Sequence, residues 1–178
     1  MTDPRYPRYP QPGSVEHLDA EFLVHRAAIQ DLVAAYSLLY DAGDYDGLGD
    51  LFTENATYAF TPAPEGFPPS VSGRDKIVAA MAALREHNLR TRAAHQRHFV
   101  TNTVITRLDG RTAEARSLMA VAFAHPQDGR QEFTRSGVYA DVLTRQGSRW
   151  RIADRHLWLA ELPAPRPGDT SVPEESRP

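Results

Sequence analysis

Two tyrosines, an aspartate and a histidine have the types and the spacing for acid–base chemistry. Tyr36 and Tyr40 are four residues apart in a predicted helix and share one face, and Asp41 follows at the helix end. His98 lies in a predicted strand. If Asp41 meets His98, the carboxylate fixes the imidazole tautomer and increases its basicity. Such a ring can move a proton to or from a carbon beside a carbonyl, while a tyrosine hydroxyl donates to the developing oxyanion.

Alternation along the predicted strands adds candidates for a pocket around this group. His98 and Asn102 are an even number of residues apart, so they are expected to face the same side of the sheet. By contrast, His95 and His98 are an odd number apart and are expected on opposite faces. No third ligand accompanies them in the sequence, so we predict neither a metal site nor another cofactor.

The elements that must position these residues are predicted to be helices first and strands afterwards. Helices are predicted over about 19–40, 45–52 and 74–88, with a turn at 53–55 and a loop at 61–73. Strands are predicted over about 56–60, 98–108, 112–124, 131–144 and 150–159, and Asp109-Gly110 indicates a hairpin turn. This order favours an α+β fold, with three helices packed on a strongly curved antiparallel sheet.

Composition narrows the class of protein. The chain has 178 residues, of which 41% are hydrophobic, with a net charge of −3 and no cysteine. These values favour one globular domain and disfavour a basic nucleic-acid binder, and no apolar run is long enough for a membrane helix. Proline-rich segments at 1–13 and 163–178 are predicted to be tails around a domain at 14–162. We expect a cytoplasmic protein.

The sequence resembles the NTF2-like superfamily, and within it the SnoaL-like branch. The likeness runs from about 19 to 159 and is carried in order by YSLLYDAGDYDGLGDLFTENATY, GRDKIVAAM, RHFVTNTVI and SGVYADVLTRQGSRWRIADR. It implies a cone with an internal pocket. In the scytalone- and bile-acid-type dehydratases of this group, a catalytic aspartate and histidine fall on Asp41 and His98. A catalytic tyrosine of the bile-acid type falls on Tyr36, and one of the scytalone type falls on Tyr40.

The resemblance is incomplete, because other catalytic positions carry different residues. A second tyrosine of the scytalone type falls near Phe60, its second histidine near Ser117, and its pocket asparagine near Tyr139. Pattern and resemblance together predict the substrate-binding residues Tyr40, Tyr58, Phe60, Asn102, Ser117, Met119, Tyr139, His156 and Trp158.

The leading hypothesis is a cofactor-independent lyase or isomerase of the dehydratase or cyclase type. His98 with Asp41 would move the proton, Tyr36 would polarise the carbonyl, and the substrate would be a small apolar oxygenated ring such as a polyketide, terpenoid or steroid-like intermediate. Two alternatives remain open: a SnoaL-like binding or interaction protein without catalysis, and a protein like the small subunit of ring-hydroxylating dioxygenases. The resemblance also implies a homodimer or homotrimer.

Overall fold

The computed structural model describes residues 19–160. The predicted proline-rich tails at 1–13 and 163–178 lie outside the described residues, as do the first and last residues of the predicted domain at 14–162. Within 19–160 the chain forms three α-helices and a sheet of six strands. No helix in this part of the chain is both long enough and apolar enough to cross a membrane.

The helices begin and end at residues whose side chains or backbone satisfy the helix termini. They are α1 (Ala20–Ala42), α2 (Tyr45–Asp50) and α3 (Arg74–Arg92). The Asp19 carboxylate accepts a hydrogen bond of 2.7 Å from the backbone N–H of Phe22, which caps α1. Gly43 ends α1 in the left-handed region at φ 76°, and its N–H donates to backbone carbonyls of the last turn. This stop places Asp41 in the final turn of α1.

The strands form one mixed sheet. They are β1 (Phe52–Thr61), β2 (Ser70–Ser72), β3 (His95–Leu108), β4 (Thr112–Ala124), β5 (Gln131–Gln146) and β6 (Arg149–Leu159), in the order β2-β1-β6-β5-β4-β3. All neighbouring pairs are antiparallel except β1 and β6, which run parallel. The short β2 lies inside the predicted loop at 61–73, and the predicted turn at 53–55 lies inside β1.

Gly137 allows the close approach of β5 and β6 on the concave face. A Cβ atom built on Gly137 would come within 2.4 Å of the backbone carbonyl oxygen of Trp158. That distance is far below van der Waals contact, and the atom it meets is backbone, which cannot rotate away. Glycine at this position therefore permits the local bend that brings the two strands around the cone.

Replacing Gly137 by alanine should lower the free energy of unfolding by about 1–3 kcal/mol, as expected for overpacking against fixed atoms. Urea denaturation followed by circular dichroism measures the change. Ser136→Ala is the matched control, because Ser136 is the exposed neighbour on the same strand and should be nearly neutral. An unchanged unfolding midpoint for Gly137→Ala would show that the two strands can separate at this point without cost.

Candidate functional site

A cavity lies between the concave face of the sheet and the helices α1 and α3. The space between atoms there, counted with the open solvent at its mouth, is about 490 Å³, and the centre of a water-sized sphere can occupy about 40 Å³ of it. Most of its wall is apolar. The apolar lining consists of Phe60, Pro64, Met81, Leu84, Met119, Val121, Phe123, Leu157 and Leu159. A ligand inside it would be largely removed from water, as in small-molecule sites generally.

Asp41 and His98 form a tight pair at the wall of this cavity. Asp41 Oδ1 lies 2.7 Å from His98 Nδ1, and Asp41 Oδ2 accepts a 2.7 Å hydrogen bond from the backbone N–H of His98. The side chains are only 10% and 7% exposed, respectively. Because an ionised carboxylate can only accept, the hydrogen of this contact is assigned to Nδ1, and Nε2 is the ring nitrogen that Asp41 does not engage. His98 lines the cavity, whereas Asp41 stands behind it.

A contact from α3 holds the end of α1 that carries Asp41. The guanidinium of Arg85 donates a 2.9 Å hydrogen bond to the backbone carbonyl of Asp41. Gln96 lies on the same strand as His98, and its amide nitrogen is 3.4 Å from both ring nitrogens of His98. The carboxylate, the ring and the adjacent backbone are therefore held together from three elements: α1, α3 and β3.

Tyrosine hydroxyls supply the polar groups deeper in the cavity. The hydroxyls of Tyr36 and Tyr58 are 3.4 Å apart, and the Tyr36 hydroxyl is 3.5 Å from the sulfur of Met81. The ring of Tyr40 packs edge-on against that of His98, with centroids 5.0 Å apart. Burial raises the pKa of Tyr36, Tyr40 and Tyr58, so all three remain protonated hydrogen-bond donors at neutral pH.

An ion pair that sequence reasoning missed lies beneath these tyrosines. Arg155 donates to both oxygens of Asp141, at 2.7 and 2.8 Å, and both side chains are fully buried. The guanidinium carbon lies 4.2 Å from the ring centroid of Tyr36 and 4.3 Å from that of Tyr139. Burial alone would lower the pKa of Arg155, but the Asp141 carboxylate outweighs it and raises that pKa. The pair thus supports the two tyrosine rings from below.

The structure brings most of the predicted site residues to one cavity. Those that line it are Tyr36, Tyr40, Tyr58, Phe60, His98, Met119 and Tyr139. Residues that line the cavity but were not predicted include Asn88, Gln96 and Arg135. Gln96 shares the strand face of His98, but the predicted strand began two residues too late to include it. Arg135 is an even number of residues from Tyr139 in β5, so alternation along the strand could have identified it as a residue on the same face.

Asn102 and Ser117 were predicted to bind substrate, but neither lines the cavity. The register of β3 with β4 shifts by one residue between Thr101 and Val104, and Asn102 adopts a positive φ of 53°. This bulge interrupts the alternation, so Asn102 is exposed although it is an even number of residues from His98. Ser117 is buried, and its hydroxyl lies 3.1 Å from that of Thr103 rather than at the cavity wall.

His156 and Trp158 were also predicted to line the pocket, but they lie on the outer face of the sheet. Their rings stack on each other with centroids 4.0 Å apart. A shift in the pairing of β5 with β6 occurs where Val142 pairs with Asp154 and Leu143 with Ile152. One extra residue in β6 therefore turns Leu157 and Leu159 inward and the intervening side chains outward.

The chain belongs to the SnoaL-like family, because the family model for the SnoaL-like domain matches residues 21–156. No curated protein sequence matches the chain. Its fold is that of the NTF2-like cones.

Solved structures agree with this assignment. A single-residue variant of Rv3472, a protein of unknown function from Mycobacterium tuberculosis, is 29% identical, with a TM-score of 0.66 over 84% of this chain and 79% of that chain. An NTF2-like protein with a cystatin-like fold from Novosphingobium aromaticivorans is 27% identical. Its TM-score is 0.67, and the match covers 79% of this chain and 84% of that chain. A scytalone dehydratase-like protein from the same organism is 19% identical. Its TM-score is 0.63, the match covers 79% of this chain and 87% of that chain, and the similarity is one of fold alone.

Proposed function

We propose that the protein is a cofactor-independent lyase or isomerase that removes a proton from carbon next to a carbonyl on a small apolar oxygenated ring. One observation carries the proposal: the 2.7 Å contact from Asp41 to His98 Nδ1 leaves Nε2 of a cavity-lining histidine as the free base. The apolar wall excludes water from the reacting atoms, which strengthens electrostatic interactions inside. The existence of a scytalone dehydratase-like protein with this fold is consistent with the reaction class.

The proposed steps use only side chains of the chain and the substrate. His98 Nε2 takes the proton from the carbon, and the electron pair of the broken C–H bond moves onto the carbonyl oxygen. Tyr36, paired with Tyr58, donates a hydrogen bond to that oxygen. The imidazolium, stabilised by Asp41, then returns the proton either to a leaving hydroxyl, which departs as water, or to another carbon of the ring. The first outcome is dehydration and the second is isomerisation.

Exchange of carbon-bound hydrogen tests this proposal without knowledge of the natural substrate. The protein is incubated in deuterium oxide with small ring ketones such as β-tetralone and decalone, and deuterium uptake at the carbon beside the carbonyl is followed by NMR. We expect faster uptake than in buffer alone for at least one ketone. Binding of a ketone without faster uptake would contradict catalysis and favour the alternative of a SnoaL-like binding protein.

We further propose that the outer face of the sheet pairs with a second copy of the chain. Phe99 and Phe133 are 50% and 67% exposed and lie 5.7 Å apart between ring centroids, next to the half-exposed Leu118. A contiguous apolar surface of this kind is typical of an interface. A homodimer or homotrimer would cover it, in keeping with the symmetry of most oligomers. The cytoplasmic location expected from the sequence also remains a proposal.

Replacing both Phe99 and Phe133 by glutamate should therefore reduce the assembly to monomers, because two carboxylates would be buried in the interface. Sedimentation velocity measures the size of the particle. Leu38→Glu is the control, since Leu38 is 72% exposed on α1 and should leave the assembly unchanged. A wild-type protein that sediments as a monomer would refute the pairing.

A further inference from the structure

Arg135 projects a positive charge into the wall of an otherwise uncharged cavity. It lies directly opposite Val121 in the pairing of β5 with β4, and both side chains line the cavity. The described residues that line the cavity include no aspartate or glutamate. Within residues 19–160, no hydrogen bond or ion pair of the Arg135 guanidinium is present, although the residue is only partly exposed. A half-buried guanidinium without a partner is unusual, because burial of a charge is costly unless it is paired.

A second guanidinium adds to the positive charge at this position. Arg92, near the end of α3, lies over the ring of Phe123 with its guanidinium carbon 4.6 Å from the ring centroid. Phe123 itself lines the cavity. Burial and the charge of Arg92 together lower the pKa of Arg135. Two neighbouring cations with no carboxylate between them create a local potential that favours an anion.

Other polar groups of the cavity also lack well-formed hydrogen bonds. The Tyr40 hydroxyl and the Gln96 side-chain oxygen are buried without a well-formed hydrogen bond among the described residues, although the Gln96 side chain lies near enough to Tyr40 to act on its pKa. Both residues line the cavity together with Arg135 and His98. A carboxylate can accept from the Tyr40 hydroxyl, whereas the Gln96 oxygen needs a donor.

We propose that Arg135 binds a carboxylate of the substrate, so that the cavity selects ring compounds bearing an acid group over their neutral analogues. This inference rests on the proposed function for the position of the reacting ring near His98. The planar guanidinium matches a carboxylate in a bidentate geometry, and one such group has the charge to balance Arg135. Arg135 is thus a residue that determines specificity, and it takes no part in the proton transfer.

Binding of an aromatic acid and of its neutral amide tests this proposal independently of turnover. Naphthoate and naphthamide share one ring system and differ in charge. Isothermal titration calorimetry should give on the order of tenfold to a hundredfold tighter binding of naphthoate to the wild type, as expected for hydrogen bonds to a charged group. The difference should vanish in Arg135→Gln and should be partly kept in Arg135→Lys, which retains the charge without the planar fork.

Arg149→Gln is the matched control, because it removes one positive charge from an exposed position at the β5–β6 turn and should retain the preference for the acid. Equal affinity of the wild type for acid and amide, weak binding of both, or an undiminished preference in Arg135→Gln would each overturn the proposal. The two proposals fail separately. Absence of deuterium exchange refutes the proton-transfer function whatever Arg135 does. A wild type without acid selectivity, or a selectivity that persists in Arg135→Gln, refutes the role of Arg135 whatever the exchange rate.

Discussion

Replacing His98 by glutamine should slow deuterium uptake into ring ketones by on the order of a hundredfold to ten-thousandfold, the usual contribution of a positioned general base. Glutamine can still donate a hydrogen bond toward Asp41, but it has no basic nitrogen to receive a proton from carbon. Binding of the ketone should change little, because the apolar wall is unaltered. The measurement is the initial rate of uptake by NMR at saturating ketone, with circular dichroism to show that the variant is folded.

Asp41→Asn extends this prediction to the partner of His98. An asparagine amide can donate to Nδ1 and so favours the tautomer with the proton on Nε2, where it blocks proton abstraction. We expect a loss of uptake comparable to that of His98→Gln. Asp44→Asn is the matched control: it removes a carboxylate three residues away, and asparagine caps α2 as well as aspartate does. Full activity in His98→Gln would contradict the proposed base.

The second large effect concerns stability. Asp141→Asn should lower the free energy of unfolding by about 3–5 kcal/mol, because it leaves the fully buried Arg155 without a counter-charge. Thermal and urea denaturation measure the loss. The rings of Tyr36 and Tyr139, which pack on the guanidinium, should become more mobile, with broader aromatic NMR resonances.

The double variant Asp141→Leu with Arg155→Met provides the comparison for this prediction. It removes both charges and refills the space with apolar atoms, and such replacements of buried pairs are often neutral or stabilising. The double variant should therefore be more stable than Asp141→Asn alone. A single variant that unfolds at the wild-type urea concentration would show that water or a nearby polar group compensates Arg155.

The sequence predicts the helices and strands well where capping residues or turn residues set the first or last residue of the element. Asp19 and Gly43 bound α1 through capping, and the Asp109-Gly110 turn fixes the β3–β4 hairpin. The order of helices and strands was enough to predict an α+β fold, and the resemblance to the SnoaL-like branch implied the cone and the roles of Asp41 and His98. Their contact joins residues 57 positions apart, at the end of α1 and the start of β3.

What the sequence could not show depends on two irregularities in strand pairing. Counting back from the Gln146–Arg149 turn in strict alternation would place Asp141 opposite Asp154. The extra residue in β6 places it opposite Arg155 instead, and it turns His156 and Trp158 outward. The bulge at Asn102 changes the face of β3 in the same way. Such bulges bend the strand that carries them, and no residue type in the sequence marked their positions.

The role of His98 as the base is tested most directly by the protonation of its two ring nitrogens. A long-range proton–nitrogen NMR spectrum of histidine-labelled protein at neutral pH, assigned with His98→Gln, reports which nitrogen carries the hydrogen. We expect a protonated Nδ1, bonded to Asp41, and an unprotonated Nε2 whose resonance shifts when a ring ketone binds. Two results would contradict the proposal that His98 is the base. One is a hydrogen on Nε2 of the neutral ring, and the other is an Nε2 resonance that does not shift when the ketone binds.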